Sequence, residues 1–232
     1  MARNFNRCTV TTECEADQLR SLEVSTRYDV IANGVDSAFF TQKKTAASNN
    51  QFIVFLGRMD YFPNIDAVCH FAYDILPVVR KTKPKVMFRV IGSNPSRRVK
   101  QLASIDGVTV TGHVSDVRPY AEGAAVSVAP LRIARGTQNK ILESMAMGIP
   151  VVASPEAAKG IRANQNEHFL VADNPTLFAK HILDVLTDDQ LRNRLCAAAK
   201  AQIEKSHSWS NSMGILDRIL ATPEKSEHVQ TD

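Results

Sequence analysis

The sequence predicts an α/β fold, a Rossmann-like parallel sheet with helices on both faces. Short apolar runs such as Phe52–Leu56 end at a glycine or proline, and helical segments separate most of these runs. A run that is apolar at every position is typical of a strand buried on both faces. Strands that alternate with helices predict β–α–β crossovers and hence parallel pairing.

The elements follow in order along the chain. Residues 8–12 predict a strand and 13–22 a helix, one lone β–α unit before a turn at Asn33-Gly34, where both residue types tolerate positive φ. A polar stretch over 41–50 predicts a linker or a surface loop. Further strands are expected over 52–56, 86–91, 108–111, 125–129, 149–153 and 169–171, and helices over 64–79, 137–147, 175–186, 188–204 and 209–220, before a polar tail that we expect to be disordered.

Composition excludes several classes of protein. The 232 residues carry a formal net charge of +4, and the basic residues are scattered, so we expect no nucleic-acid partner. The four cysteines have no C-x-x-C spacing and the histidines no close ligand pair, which predicts neither a disulfide framework nor a metal site. The N-terminus is polar, and no apolar run approaches the roughly 20 residues of a membrane span. We therefore expect a soluble, cytoplasmic protein, with membrane-surface contact by a complete enzyme left open.

Ligands of open parallel sheets bind at the carboxyl ends of the strands. No G-x-G-x-x-G follows the first strand and no G-x-x-x-x-G-K-[ST] is present, which argues against a dehydrogenase and a P-loop nucleotidase.

The most informative segment runs from Pro130 to Ala153. A strand ends at Pro130, a loop carries Gly136-Thr137, and a helix follows, so its first turn can bind an anion. Lys140 and Glu143 share one helix face, where a cation suits a diphosphate and a carboxylate suits ribose hydroxyls. The alternative interpretation is an exposed i,i+3 ion pair with no ligand.

These motifs resemble the C-terminal domain of family 4 glycosyltransferases, GT-B enzymes that mostly retain anomeric configuration. The resemblance covers about residues 30–220 and rests on Gly57-Arg58, on NGVD at 33–36, and on Lys140-x-x-Glu143 followed by SMAMGIPVV at 144–152. The stretch at 59–66, with GTQNK at 136–140, resembles a bacterial branch associated with exopolysaccharide assembly.

The resemblance implies a nucleoside-diphosphate sugar as donor, with no cofactor. It assigns Glu143 to the ribose, Arg58 and Lys140 to the diphosphate, and the loop at Gly112-His113-Val114 to the base. The full set of implied substrate-binding residues is Gly57, Arg58, His113, Val114, Arg135, Gly136, Thr137, Gln138, Asn139, Lys140 and Glu143. The catalytic residue stays unassigned.

Two departures from the family pattern concern the sugar and phosphate contacts. The family often has a lysine shortly after the arginine, but here residues 61–64, YFPN, intervene, so we expect Lys140 to supply the second positive charge. The family often has two glutamates eight positions apart, and Glu143 corresponds to the second. At the position of the first, this chain has Arg135.

A further departure concerns domains. We predict that residues 1–29 are a remnant of the N-terminal acceptor domain, 30–205 the nucleotide-sugar-binding domain, and 206–232 a crossover helix and polar tail. The acceptor, a glycan or a lipid-linked glycan, would bind on the missing N-terminal GT-B domain, so we expect this chain alone to be inactive. A GT-B-type sugar-nucleotide epimerase and a non-catalytic scaffolding module remain alternatives.

Overall fold

A computed structural model describes residues 5, 7–22, 26–41 and 52–221. Most of the expected linker at 41–50 and the polar tail after 221 lie outside the described residues. The strands are β1 Arg7–Val10, β2 Arg27–Val30, β3 Phe52–Leu56, β4 Met87–Ile91, β5 Val108–Val110, β6 Val126–Ala129, β7 Val151–Ala153 and β8 Leu170–Val171. The helices are α1 Glu13–Arg20, α2 Ser37–Phe40, α3 Phe62–His70, α4 Leu76–Thr82, α5 Arg97–Gln101, α6 Arg118–Ala121, α7 Asn139–Ala146, α8 Pro155–Ala158, α9 Pro175–Thr187, α10 Asp189–Ser206 and α11 Trp209–Ala221.

The main sheet confirms the predicted fold class. Six strands pair in the order β5-β4-β3-β6-β7-β8, and every pairing is parallel. The expected strand at each of the six apolar runs is present, most of them starting or ending a residue or two inside the predicted bounds.

Strand β3 lies at the centre and explains why its sequence is apolar at every position. Ile53 and Phe55 pack in the larger hydrophobic core on one face of the sheet. Phe52, Val54 and Leu56 pack in a smaller core on the other face. Because side chains alternate across a strand, only a strand covered on both sides buries all five.

The long helix predicted over 64–79 contains a π-helical turn. Helix α3 passes through this turn at Phe71–Ile75 into α4, whose second residue is Pro77. Proline has no N–H and its ring clashes with the carbonyl four residues earlier, so a regular α-helix is interrupted here. The wider turn lets the helix continue past Pro77.

The N-terminal unit has one strand more than the sequence predicted. Strand β2 pairs in parallel with β1 in a separate two-stranded sheet, with α1 between them, so the expectation of a lone β–α unit is wrong. Its sequence, RYDV, has no apolar run, and an ion pair between Arg7 and Asp29, with Nε 2.8 Å from Oδ2, lies across the two strands. Thr12 and Glu15 form a capping box that begins α1.

The Asn33-Gly34 turn joins this unit to the C-terminal helices. Gly34 lies against Trp209, and a side chain there would come within 2.7 Å of the indole ring. Val35 donates its N–H to the His207 carbonyl at 2.7 Å, and the Ser212 hydroxyl donates to the Ala32 carbonyl at 2.7 Å. Through these contacts, the start of α11 packs against the Asn33-Gly34 turn.

Helix α11 also carries exposed apolar side chains. Trp209 is 50%, Met213 42% and Leu220 74% exposed.

Within the described residues, no helix combines the length and apolarity that crossing a bilayer requires. The predicted division of the chain into domains at 29/30 and 205/206 stays a prediction.

Candidate functional site

The strand order reverses between β3 and β6. The chain builds outward from β3 through β4 to β5, then returns to place β6 on the other side of β3. Parallel sheets bind ligands at such a switch point, outside the carboxyl ends of the strands. The loops that leave there carry Gly57-Arg58, after β3, and the segment from Pro130 to Gln138, after β6. Most of the predicted site residues are therefore at the switch point.

The loop after β3 is held by close backbone contacts. Gly57 donates its N–H to the Ile91 carbonyl at 3.1 Å, and a side chain on Gly92 would overlap the Gly57 carbonyl oxygen. The Arg58 side chain is exposed and pairs with Asp60, with Nη2 2.8 Å from Oδ2. This hydrogen bond with the guanidinium lowers the pKa of the Asp60 carboxyl. Asn94 donates a further hydrogen bond to Asp60 at 3.2 Å.

Asn64 connects this loop to α7. Its side chain is buried at the first turn of α3, where Nδ2 donates to the Arg58 carbonyl and Oδ1 accepts from Lys140 Nζ, both at 2.8 Å. Gly57 leaves room for this amide, since a side chain on Gly57 would lie 2.8 Å from Nδ2. From the sequence, Asn64 was assigned only to the start of a helix, to the segment at 59–66 that resembles a bacterial branch and to the departure from the family pattern at 61–64, so its contact with Lys140 was not predicted.

Lys140 is a largely desolvated cation. Its ammonium lies 5.2 Å from the centre of the Phe55 ring and also reaches Gln138 Oε1 at 3.3 Å. Burial lowers the pKa of Lys140 to about 8, and the nearby Glu143 carboxylate opposes this shift. A cation held in this state is stabilised by an anion that enters the site.

Glu143 lies one turn further along the same face, as predicted. Burial raises the pKa of its carboxyl, and the positive charge of Lys140 acts in the opposite direction. Among the residues that the structure describes, none donates a hydrogen bond to this carboxylate. Ile141, Leu142 and Met145 are buried on the core face, which confirms the predicted orientation of α7. The alternative interpretation was an exposed ion pair between Lys140 and Glu143, and the described residues contain no salt bridge between these two side chains.

The loop after β6 approaches the rest of the chain at its backbone. Gly136 has φ 61°, and a side chain on Gly160 would come within 2.2 Å of the Gly136 carbonyl oxygen. The Thr137 hydroxyl oxygen is buried and has no hydrogen-bond partner within the described part of the chain. Arg132, earlier in the loop, pairs with the buried Asp66 of α3, with Nε 2.9 Å from Oδ2. The loop is thus fixed at both ends while Thr137 keeps an unused hydroxyl.

Three predicted residues surround the start of α7. Gln138 donates through Nε2 to the Arg135 carbonyl at 3.1 Å, and Asn139 accepts from Asn33 Nδ2 at 3.3 Å. The Arg135 side chain is exposed. Helix α7 begins at Asn139 with no side-chain cap, and the Ile141 N–H donates to the Gln138 carbonyl at 2.9 Å. The N–H groups of Asn139 and Lys140, which precede it, have no side-chain cap within the described residues.

The loop at Gly112-His113-Val114 is further away. It follows β5, the edge strand two positions from β3, and His113 is exposed. A side chain on Gly112 would meet nothing within 4 Å, while Val114 packs against the smaller core. No described contact joins this loop to Lys140 or Glu143. Because β5 is parallel to β3, this loop leaves the sheet at the same carboxyl edge as the loop after β3.

The described residues contain no group of three or more histidine, cysteine, aspartate or glutamate side chains that could hold a metal ion.

The model of the family described as glycosyl transferases group 1 matches residues 50–188. This chain belongs to the glycosyl transferases group 1 family.

This group 1 chain is similar in sequence to a bacterial protein and in fold to solved structures. An uncharacterized 44.6 kDa protein in the cps region of Klebsiella pneumoniae is 24% identical over 144 residues, covering 59% of this chain and 37% of that protein. A variant of S. aureus TarM, solved in complex with fondaparinux, α-GlcNAc-glycerol and UDP, superimposes with a TM-score of 0.76 at 18% identity, covering 95% of this chain and 45% of TarM.

A second similar structure is a single domain. The C-terminal domain of a glycosyl transferase group 1 family protein (LpcC) from Francisella tularensis is 18% identical with a TM-score of 0.63, and the match covers 76% of this chain and 100% of that domain. This group 1 chain therefore spans less than half the length of the Klebsiella protein and of TarM. Its match to the LpcC domain covers that domain completely.

Proposed function

We propose that this chain is the nucleotide-sugar-binding half of a glycosyltransferase and that it holds its donor at the loops after β3 and β6. One observation carries the proposal: Lys140 and Glu143 share one helix face at the switch point, and burial penalises both charges. A structural ion pair would bring the two together. Here Lys140 donates to neutral amides, and the Glu143 carboxylate has no described hydrogen-bond donor.

A nucleoside diphosphate satisfies each of these groups. Lys140, Arg58 and the first N–H groups of α7 would bind the diphosphate, since a helix N-terminus and two cations form an anion site. The Glu143 carboxylate would accept hydrogen bonds from the ribose hydroxyls. Thr137 would use its unpaired hydroxyl on a phosphate or sugar oxygen, and Gly112–Val114 would form the outer wall for the base.

The relatives support this assignment. TarM was solved with UDP, and the Francisella tularensis domain that matches over its full length is a C-terminal domain. Membership of the family supports glycosyl transfer by the whole protein. We therefore propose that residues 30–205 correspond to the C-terminal half of a GT-B enzyme, and that residues 1–29 and 206–232 join it to the other half.

The complete enzyme would transfer a sugar, with retention, to a glycan or lipid-linked acceptor bound on the N-terminal half. The cps-region relative supports a place in polysaccharide assembly. Such an enzyme would act in the cytoplasm, with peripheral contact to a membrane where its acceptor is lipid-linked. The proposal needs no cofactor.

Calorimetry with UDP, GDP and ADP tests the donor site. We expect one of them to bind, and its free nucleoside to bind more weakly, because Lys140 and Arg58 act on the phosphates. If none of the three binds, a scaffolding role replaces this proposal.

Activity is tested by release of nucleoside diphosphate from a panel of sugar nucleotides, with and without acceptors. We expect no acceptor-dependent turnover by this chain alone, because proximity and orientation of two substrates supply about 7–11 kcal/mol of the barrier reduction. Addition of a complete N-terminal half should restore turnover. Acceptor-dependent release by the chain alone would show that its active site lies elsewhere, and a changed sugar without release would indicate an epimerase.

A further inference from the structure

Asn64 is the buried side chain that joins the loop after β3 to the start of α7, the two segments that would contact the diphosphate in the proposed site. It lies at the start of α3, 76 residues before Lys140 in sequence, and touches both the Arg58 backbone and the Lys140 ammonium at 2.8 Å. We infer that Asn64 is a positioning residue, which fixes the Lys140 ammonium and the Arg58 loop in the geometry that receives a diphosphate. This inference rests on the proposed donor site.

The two partners of Asn64 determine which way its amide points. An ammonium group only donates hydrogen bonds and a carbonyl oxygen only accepts them, so Oδ1 must face Lys140 and Nδ2 must face Arg58. An aspartate in its ionised form could accept from Lys140 but could not donate to the Arg58 carbonyl. A leucine of similar size could do neither. The position therefore requires an amide.

The surroundings keep the amide in place. Asn64 is 5% exposed, and its backbone N–H bonds to the Tyr61 carbonyl at 2.9 Å. Gly57 approaches it so closely that a methyl group there would lie 2.8 Å from Nδ2 and 3.3 Å from the Lys140 side chain. Asn64, Gly57 and Lys140 thus pack as one unit at the carboxyl end of β3.

The charge of Lys140 depends on this contact. Glu143 on its own helix is the charged group that acts on the ammonium, while the groups that face it from α3 and β3, Asn64 and the Phe55 ring, do not titrate. The neutral Asn64 oxygen stabilises the ammonium without cancelling its charge. A carboxylate at the same place would cancel it, which would leave little net attraction for phosphate.

Two substitutions shift the protonation of Lys140 in opposite directions. Asn64→Leu removes an acceptor from the ammonium, so the pKa of Lys140 falls further below about 8, its value in the wild type. Asn64→Asp places a negative charge beside it, so the pKa of Lys140 rises. A substitution that only disturbed the fold would weaken nucleoside and diphosphate binding together, whereas an effect through Lys140 acts on the diphosphate alone.

The experiment measures affinity for UDP, GDP or ADP, whichever binds the wild type, and for the matching nucleoside, between pH 6 and 10. In the wild type we expect diphosphate affinity to decline above about pH 8, as Lys140 loses its proton. In Asn64→Leu the decline begins at lower pH, and affinity at pH 7 is roughly tenfold weaker. In Asn64→Asp the diphosphate binds more weakly at pH 7, and the decline moves to higher pH. Nucleoside affinity stays unchanged in both.

Lys140→Met and the wild type separate the possible failures. If the wild type binds no nucleoside diphosphate, the proposed function is wrong. If the wild type binds, Lys140→Met loses diphosphate affinity, and both Asn64 variants keep wild-type affinity and pH profile, the inference about Asn64 is overturned. If Asn64→Leu does not fold, Asn64→Asp decides alone, because aspartate matches asparagine in shape but cannot donate to the Arg58 carbonyl. Wild-type diphosphate affinity at pH 7 in that variant would then overturn the inference.

Discussion

Two polar clusters lie near the Asn33-Gly34 turn, and they differ in whether their polar groups have hydrogen-bond partners within the chain. In the first, the buried His207 ring accepts the Arg162 N–H at Nε2, 3.2 Å away, and Nδ1 lies 3.0 Å from the Asn33 carbonyl. Because that carbonyl only accepts, the ring carries its proton on Nδ1 and is neutral. Each polar atom of the ring therefore has a partner within the chain.

The second cluster, around Lys140 and Glu143, is not self-sufficient. Its two charges are desolvated, and the Thr137 hydroxyl beside them has no described partner. Buried polar groups in folded proteins are normally hydrogen-bonded, so exceptions point to strain or to a ligand. The comparison indicates that the His207 cluster serves stability and the Lys140 cluster serves binding, and each of the following predictions can break that division.

The largest effect is expected at His207. His207→Leu leaves the Arg162 N–H and the Asn33 carbonyl without partners, each costing about 1–3 kcal/mol, so the free energy of unfolding should fall by roughly 2–6 kcal/mol. Urea denaturation measures this loss, and calorimetry at a temperature where the variant is folded should give wild-type nucleotide affinity. An affinity loss in the folded variant would mean that the turn belongs to the site.

The pH dependence of stability follows from the same contacts. Burial lowers the pKa of His207, so the unfolded chain binds a proton that the folded chain does not as pH falls through the usual histidine range. Stability should therefore decrease with falling pH in the wild type. In His207→Leu this contribution should be absent.

The next effect is expected at Glu143. Glu143→Gln and Glu143→Ala should weaken nucleoside-diphosphate binding by about 1.5–3 kcal/mol, on the order of 10- to 100-fold, because hydrogen bonds to a charged group are lost. The free energy of unfolding should stay constant or rise, since the wild-type carboxylate is penalised by burial. Glu204→Gln, on the exposed side of α10, is the matched control. Unchanged affinity in the Glu143 variants, measured by calorimetry, would contradict the role of this residue.

The two clusters also differ in how far the sequence could predict them. The apolar runs predicted the six-stranded sheet, because burial on both faces demands an uninterrupted run such as Phe52–Leu56. Strand β2 escaped prediction because its sequence, RYDV, is not an apolar run, and the ion pair of Arg7 with Asp29 that lies across β1 and β2 has no local sequence signal. The π-helical turn at Phe71–Ile75 was equally hidden, although Pro77 could have signalled it.

At the site, local spacing was sufficient for some residues and not for others. Lys140 and Glu143 are three residues apart on one helix, so helical geometry alone predicted their shared face. Asn64 contacts Lys140 across 76 residues of sequence, and His207 contacts Asn33 across 174. Such contacts depend on how the strands and helices pack, which one sequence without its fold does not show.

Lys140 should give a smaller, pH-dependent effect on stability. Its pKa is about 8 in the folded chain against 10.5 in the ordinary case, so between these values the unfolded chain binds more protons and stability rises with pH. Lys140→Met removes the buried charge and should stabilise the protein at pH 7 by about 1–2 kcal/mol, with a smaller gain near pH 10. Lys159→Met, at an exposed position, is the control. Thermal unfolding at both pH values measures the difference, and an equal effect at both would mean that Lys140 is not desolvated.

The smallest expected effect separates two roles for Asp60. In the structure the Arg58 guanidinium is bound by Asp60 through two hydrogen bonds, 3.2 Å from Nε to Oδ1 and 2.8 Å from Nη2 to Oδ2. A diphosphate that binds Arg58 must compete with this carboxylate, and it also meets the negative charge of Asp60. Asp60→Asn should therefore strengthen diphosphate binding by roughly twofold to fivefold, the scale of one exposed charge pair, and added salt should reduce the gain. Arg58→Met should lose affinity whether or not Asp60 is present. If Asp60→Asn instead weakens binding, the Asp60 carboxylate orients the Arg58 guanidinium toward the phosphates. The loop after β3 would then resemble the His207 cluster, because its polar groups would already hold their functional contacts in the free chain.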